Sequence, residues 1–250
     1  MKFKLVISSA DIAKVTALIK SQANSAFVRT RCKRNLAKVK PRVTREILWK
    51  RLICTRLTTR QNSSPEGFVA KFSRERPFPL TYKAVHGARN AEILIAKALR
   101  AAGGIRFADK IASEMSQNFR LLETGEWAPA LEQCNRLTRL VSREVEIEVA
   151  EHVQKQFIGF GPKQSRNVLQ SLGLTRYEIP IDSRLTDWLN EFGFPVRLSA
   201  GALQDANYYR FISDGIHMLC ERSGVLPCVF DAAVFALRDS ADWTDENVIF

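Results

Sequence analysis

The chain has no Cys-x-x-Cys pair: its five cysteines, Cys32, Cys54, Cys134, Cys220 and Cys228, are odd in number and scattered through 250 residues. That spacing argues against a zinc ribbon or an iron–sulfur motif and reads instead as small buried hydrophobes in a reducing compartment. Histidine is as scarce, and His86, His152 and His217 lie at no ligand spacing with one another or with those thiols, so no metal site is expected. No run of 18 apolar residues exists to cross a bilayer, and Leu5–Ile7 is too short an apolar stretch for a secretory signal. A cytoplasmic protein with no membrane partner is the expectation. Alternation of apolar and polar positions is also rare, limited to a possible short strand over residues 2–7.

What the chain has in quantity is positive charge. Lys and Arg number 38 against 26 Asp and Glu, a net charge of +12, while 46% of residues are hydrophobic. The apolar content fills one large domain or two intimate lobes, and the charge favours a polyanionic partner over a neutral small molecule. That charge is uneven. No acidic residue lies between Asp11 and Glu46, where there are ten basic ones: Lys14, Lys20, Arg29, Arg31, Lys33, Arg34, Lys38, Lys40, Arg42 and Arg45. The run either tracks phosphates or forms a solvated basic face or loop. Its poverty in acid is also that of a transit peptide, but Asp11 and an ordinary core periodicity argue against one.

Apolar residues recur at three- and four-residue steps over 43–57, 89–102, 106–121, 130–141, 145–157, 183–192, 206–220 and 230–237, which predicts an all-α chain. Turn formers fall between these segments. The last residues, 239–250, are acidic and polar, a tail that lies on the basic body or frays.

Residues Gly159, Phe160, Gly161, Pro162 and Lys163 form a glycine-rich turn between two apolar helical stretches. Glycine permits positive φ and lets an anion reach backbone amides with no Cβ in the way. Proline suits the first turn of the following helix, whose free N–H groups and dipole attract phosphate. Such an edge grips a nucleic-acid backbone without reading bases, and Gln164 and Ser165 in its first turn are candidate side-chain donors. An ordinary helix-to-helix turn is the plainer alternative. Nineteen positions beyond Lys163 stands Asp182, in Ile-Pro-Ile-Asp. It would make a good N-cap for a helix starting at Ser183, a role compatible with catalysis. Lys163 by itself reads as a surface charge. At a helix N-terminus and desolvated, its pKa would fall and its amine would become a better nucleophile.

The stretch Phe157–Leu185, FIGFGPKQSRNVLQSLGLTRYEIPIDSRL, resembles the helix-hairpin-helix plus Gly/Pro/Asp signature of the DNA glycosylase superfamily that includes endonuclease III and the 8-oxoguanine glycosylases. In those families a lysine follows the hairpin glycines and an aspartate comes 18 or 19 residues later, the positions of Lys163 and Asp182. Monofunctional members lack the lysine, so Lys163 implies the branch that is both glycosylase and AP lyase. Two further segments are similar to the compact archaeal type of 8-oxoguanine glycosylase. Gly103–Ala112, GGIRFADKIA, matches its Gly-x-Arg-Phe segment, and Phe230–Arg238, FDAAVFALR, its C-terminal helix with a leading aspartate. Ile53–Pro65 resembles the helix end and loop that the superfamily inserts into the duplex, which places Gln61 or Asn62 where the extruded base leaves a gap. There are departures: the four-cysteine iron–sulfur motif of endonuclease III is absent, Arg184 stands where many relatives have histidine, and the tail beyond Arg238 is longer.

The resemblance implies a fold, a partner and a reaction. The fold is two helical lobes with the hairpin at the cleft between them. Residues 1–50 would be a basic segment packing with the C-terminal lobe, 51–163 a helical lobe ending in the hairpin, and 164–250 a second lobe with the acidic tail. The partner is double-stranded DNA carrying a damaged base, engaged by a monomer, nucleoid-associated if the source is prokaryotic. Lys163 would attack C1′ and Asp182 would stabilise the positive charge on the sugar. Gly159, Gly161, Gln164, Ser165, Gln61, Asn62 and Arg184 would touch DNA, and Phe235 falls at an aromatic base-pocket position that core packing explains equally well. The reaction needs no cofactor, although hairpins of relatives often hold a monovalent cation at carbonyl oxygens. 8-Oxoguanine is the leading substrate. An oxidised pyrimidine and a non-catalytic DNA-binding module, in which Lys163 touches phosphate and Asp182 only caps, remain as alternatives.

Overall fold

A computed structural model describes residues 5–61 and 64–248. Among them no strand occurs, and residues 5–7, expected to belong to a strand, are irregular. Ile7 packs on apolar side chains of a helical core instead of pairing with a second strand. The acid-free stretch is largely helical. α1 (Ser9–Gln22) opens on a capping box in which the Ser8 hydroxyl accepts from the Asp11 N–H and the Asp11 carboxylate accepts from the Ser8 N–H. α2 (Ala26–Asn35) carries Arg29, Arg31, Lys33 and Arg34, yet it buries Arg31 together with Phe27 and Val28. Its basic composition hides the apolar face from any periodicity search.

One core gathers α3 (Arg45–Leu57), α4 (Phe68–Arg74), α5 (Tyr82–His86), α6 (Ala91–Ala101), α7 (Ala108–Leu121), α8 (Trp127–Arg136), α9 (Arg143–Gln156) and α10 (Pro162–Ser171) around Trp49, Leu52, Leu99 and Met115. A π-helical turn over Leu122–Glu126, with Gly125 at φ 133°, bends the chain from α7 into α8. α10 belongs to this core through Val168 and Leu169, followed by Leu172 and Leu174 just beyond its end. The lobe therefore runs past the hairpin instead of ending at residue 163, because the hairpin folds α10 back along α9 and α3. A second core joins α1 to α11 (Ser183–Phe192), α12 (Ala206–Arg222) and α13 (Pro227–Arg238) through Val15, Leu185, Leu189, Tyr209 and Phe230. α2 lies along α13, and the tail folds back on both, burying Val248 against Phe27, Val28 and Ala232.

Residues 175–182 link the lobes without helical hydrogen bonds, so their backbone groups need other partners. Glu146 of α9, itself buried, accepts the N–H groups of Arg176 at 2.7 Å, Tyr177 at 2.8 Å and Glu178 at 2.7 Å. The Tyr209 hydroxyl accepts from the Ile181 N–H at 2.8 Å and donates to the Ile179 carbonyl at 2.9 Å. The buried Glu178 carboxylate meanwhile receives Arg143 of α9, Arg166 of α10 and Ser213 of α12. These contacts fix where the segment delivers Asp182. Glu146→Ala removes the acceptor for all three N–H groups, and at roughly 1–3 kcal/mol per unsatisfied buried donor it is expected to lower stability in urea unfolding by about 2 kcal/mol or more. A change under about 0.5 kcal/mol would show that the segment holds itself.

Candidate active site

Between the two cores opens a cleft of about 1340 Å³. Its rim is the turn from α9 into α10. Asn118 of α7 braces that turn, its amide nitrogen donating to the Ile158 carbonyl at 2.9 Å and its oxygen accepting the Ile158 N–H at 2.8 Å. Gly159 sits at φ +87°, and a Cβ there would lie 2.5 Å from Arg56 Nε and 2.8 Å from Glu114 Oε2, the ion pair on which the turn rests. Gly161 differs: its φ is −73°, and an added Cβ would meet only Gln204 Oε1 at 3.5 Å. Only Gly159 is required by conformation and packing, whereas Gly161 keeps the approach to the amides open. The Phe157, Ile158 and Gly161 carbonyls already accept from Phe160 N–H, Asn118 and Ser165 N–H. Each oxygen retains a second lone pair, so the turn is compatible with a monovalent cation. Among the described residues no group of three or more His, Cys, Asp or Glu could hold a metal ion.

Lys163 follows Pro162 in the first turn of α10, and both it and Asp182 line the cleft. The two make no direct ion pair, but their charges act on each other. Burial is the main cause that depresses the Lys163 pKa below the ordinary lysine value; Asp182 pulls it back up, Arg184 lowers it, and Asp231 raises it. Asp182 is the N-cap of α11, its Oδ1 accepting from the Leu185 N–H at 3.0 Å while Oδ2 meets Arg184 at 3.3 Å. Capping thus occupies one oxygen and leaves the other beside the cleft. Arg184 lines the cleft as well, held at its far side by Asp239 at 2.6 Å.

Several expected DNA contacts are turned inward. Ser165 is fully buried and its hydroxyl donates to the Pro162 carbonyl at 2.9 Å, so it cannot reach a phosphate. Gln164 is buried and donates across the lobe to the hydroxyl of Thr59. The Gln61 amide is consumed by the adjacent loop: its nitrogen donates to the Leu57 and Arg106 carbonyls and its oxygen accepts the Arg106 N–H at 2.8 Å. It clips two loops together and is not a free wedge. Asn62 lies outside the described residues. Phe235 does line the cleft, but one face stacks on Phe27 at 4.2 Å and the Arg184 guanidinium lies 4.2 Å from its ring centroid.

Three further features shape the cleft. Its floor is a buried polar cluster in which Arg31 of α2, at 3.1 Å, and Gln170 of α10, at 2.6 Å, both donate to Asp231 Oδ2 of α13. Burial raises the Asp231 pKa to about 6, with Arg31 opposing and Asp182 reinforcing the shift. Gln170 Oε1 and Arg31 Nε are buried with no hydrogen-bond partner among the described residues. At the mouth, Phe107 is 45% exposed and held at φ 61°, a backbone region that aromatic residues rarely adopt. The third is the tail, whose Ser240, Ala241 and Trp243 form part of the wall. Phe107 lies in the Gly-x-Arg-Phe segment and Asp231 is the leading aspartate of Phe230–Arg238; nothing local signals that Arg31 and Gln170 meet that aspartate.

No protein-family model matches the chain, and no curated protein matches it by sequence. Among solved structures, the crystal structure of the 8-oxoguanine DNA glycosylase of Thermotoga maritima is similar over 93% of this chain and 98% of that one, with a TM-score of 0.63 and 15% sequence identity. The two chains share a fold. That fold is the all-α architecture expected from the periodicity, with no helix among the described residues long and apolar enough to cross a membrane.

The electrostatics make a direct prediction. In an NMR titration of carbon-13-labelled lysines, Lys163 should titrate below the ordinary lysine value. Asp182→Asn should lower its pKa further by removing a charge that favours the ammonium, and Arg184→Gln should raise it by removing one that opposes it. A Lys163 titration with no depression, or indifferent to both changes, contradicts this arrangement.

Proposed function

We propose that the chain is a base-excision DNA glycosylase that draws a damaged base into the cleft, releases it and nicks the strand as an AP lyase. The observation that carries this reading is the depressed Lys163 amine and the Asp182 carboxylate in one cleft, together with a buried polar cluster and the glycine turn at the start of α10. The fold shared with the Thermotoga maritima enzyme supports it.

A stacked base hides C1′ of its sugar, so the nucleotide must first be extruded at a cost of about a few kcal/mol. Phe107, aromatic and half-exposed at the mouth, is the side chain best placed to fill the gap, with Arg106 lying over its ring. The uncharged Lys163 amine then attacks C1′ as the glycosidic bond breaks and the base leaves with the bonding pair. The Asp182 carboxylate stabilises the positive charge developing on the sugar and accepts and returns protons. Ring opening gives a Schiff base, and β-elimination expels the 3′ phosphate. The floor combines acceptors, the Gln170 carbonyl and the Asp231 carboxylate, with the Arg31 guanidinium as donor, a mixed set that suits the edge of 8-oxoguanine, which presents both N–H donors and carbonyl acceptors.

Incubation with duplexes that each carry one lesion tests the reading. The expected result is nicked product, strongest with 8-oxoguanine. Lys163→Gln should abolish nicking while duplex binding persists, and Asp182→Asn should slow base release far more than it weakens binding. Binding without cleavage of any lesion would instead indicate a DNA-binding module. Phe107→Ala should slow single-turnover excision by about tenfold or more, from the loss of roughly 1–3 kcal/mol of base–aromatic stacking; an unchanged rate assigns the wedge elsewhere.

A further inference from the structure

Arg184 is held at three points. Nη1 meets Asp182 Oδ2 at 3.3 Å, Nη2 meets Asp239 Oδ2 at 2.6 Å, and the guanidinium lies 4.2 Å from the centroid of Phe235. Asp239, the first residue after α13, has a side chain only 8% exposed. Its other oxygen accepts the Ala241 N–H at 3.0 Å and the Trp243 indole N–H at 3.3 Å. That indole packs edge-on against Phe27 at 5.0 Å and Phe235 at 5.8 Å. Further along, Asp245 accepts from Thr30 at 3.1 Å and pairs with Arg29. The tail is thereby fastened at Asp239 and at Asp245, and the fastening nearer the cleft is a single carboxylate.

The Asp182–Arg184 pair is part-buried, and two side chains so near in sequence and still touching solvent orient each other only loosely on their own. A third, buried group changes this. Asp239 is itself fixed by two N–H donors, so it holds Arg184 in one place, and Arg184 then fixes Oδ2 of Asp182 while the Leu185 N–H fixes Oδ1. Both oxygens of the candidate catalytic carboxylate are oriented. The opposite oxygen of Asp239 sets the indole that completes the aromatic wall.

We propose that Asp239 is a positioning residue that couples two parts of the site: through Arg184 it orients the Asp182 carboxylate, and through Trp243 it holds the aromatic wall of the cleft. The acidic tail is on this account a working part of the site. The catalytic half of the proposal rests on the glycosylase reading; the mechanical half, the tie between Arg184 and Trp243, does not.

The experiment has two arms, both on the full chain. In the first, single-turnover excision from an 8-oxoguanine duplex is measured for Asp239→Asn, Arg184→Gln and the double variant. Asp239→Asn should slow the rate about tenfold or more with half-saturation changed less than about threefold, Asp239→Glu should recover part of it, and the double loss should be smaller than the product of the single losses. Losses that multiply, or a defect confined to half-saturation, overturn the proposal. In the second arm, the Trp243 emission is obtained by difference from Trp243→Phe. Arg184→Gln should shift it to the red, because the tail loosens when its partner is removed. Unchanged Trp243 emission in Arg184→Gln overturns the tie. If the unaltered chain excises no lesion, the glycosylase reading fails, and the emission arm still decides the coupling.

Discussion

Everything at the cleft depends on a stretch of non-helical backbone buried between two helical cores. Residues 175–182 have no neighbouring strand and no helical ladder, and a buried amide without a partner is costly. Glu146 and Tyr209 supply the partners. By tying the link to α9 on one side and to α12 on the other, they set the lobe-to-lobe register and bring the N-terminus of α11, with Asp182, to face the first turn of α10.

That register places an unusual density of charge around one amine. Lys163 lies among two carboxylates that favour its ammonium form and a guanidinium that opposes it, and burial, the largest influence, holds its pKa below the ordinary lysine value. The carboxylates are kept apart in character by their surroundings. Asp231 is buried, shared between Arg31 and Gln170, with its pKa pushed to about 6, while Asp182 is only partly buried, with one oxygen on a backbone N–H and the other on Arg184. In the proposed reaction this division suits one acid to the sugar and the other to the base.

Most of the helical frame is legible in the sequence because helices such as α9 and α11 carry apolar stripes behind the capping side chains Ser142 and Asp182. α11 runs from Ser183 to Phe192, the range expected from its periodicity. α2 is not legible: apart from Phe27, Val28 and Cys32 it is polar or basic, and it buries Arg31 only because Asp231, two hundred residues away, neutralises it. Lys163 and Asp182 are legible as a spaced pair, since the chain passes from one to the other within a single hairpin-and-link unit. Their polar neighbours are not. Ser165, Gln164 and Gln61 are residue types that bind phosphate when exposed, and only the fold shows that their hydrogen bonds close on their own lobe. Phe107 presents the opposite case, an apolar residue left outside by a left-handed backbone turn.

The central claim is that the Lys163 amine and the Asp182 carboxylate address one deoxyribose. The most direct measurement is peptide mapping by mass spectrometry of the unaltered chain after borohydride reduction in the presence of an abasic-site duplex. The account predicts a single covalent sugar adduct on the peptide that contains Lys163. An adduct on another lysine or on the N-terminal amine, with Lys163 unmodified, would contradict it.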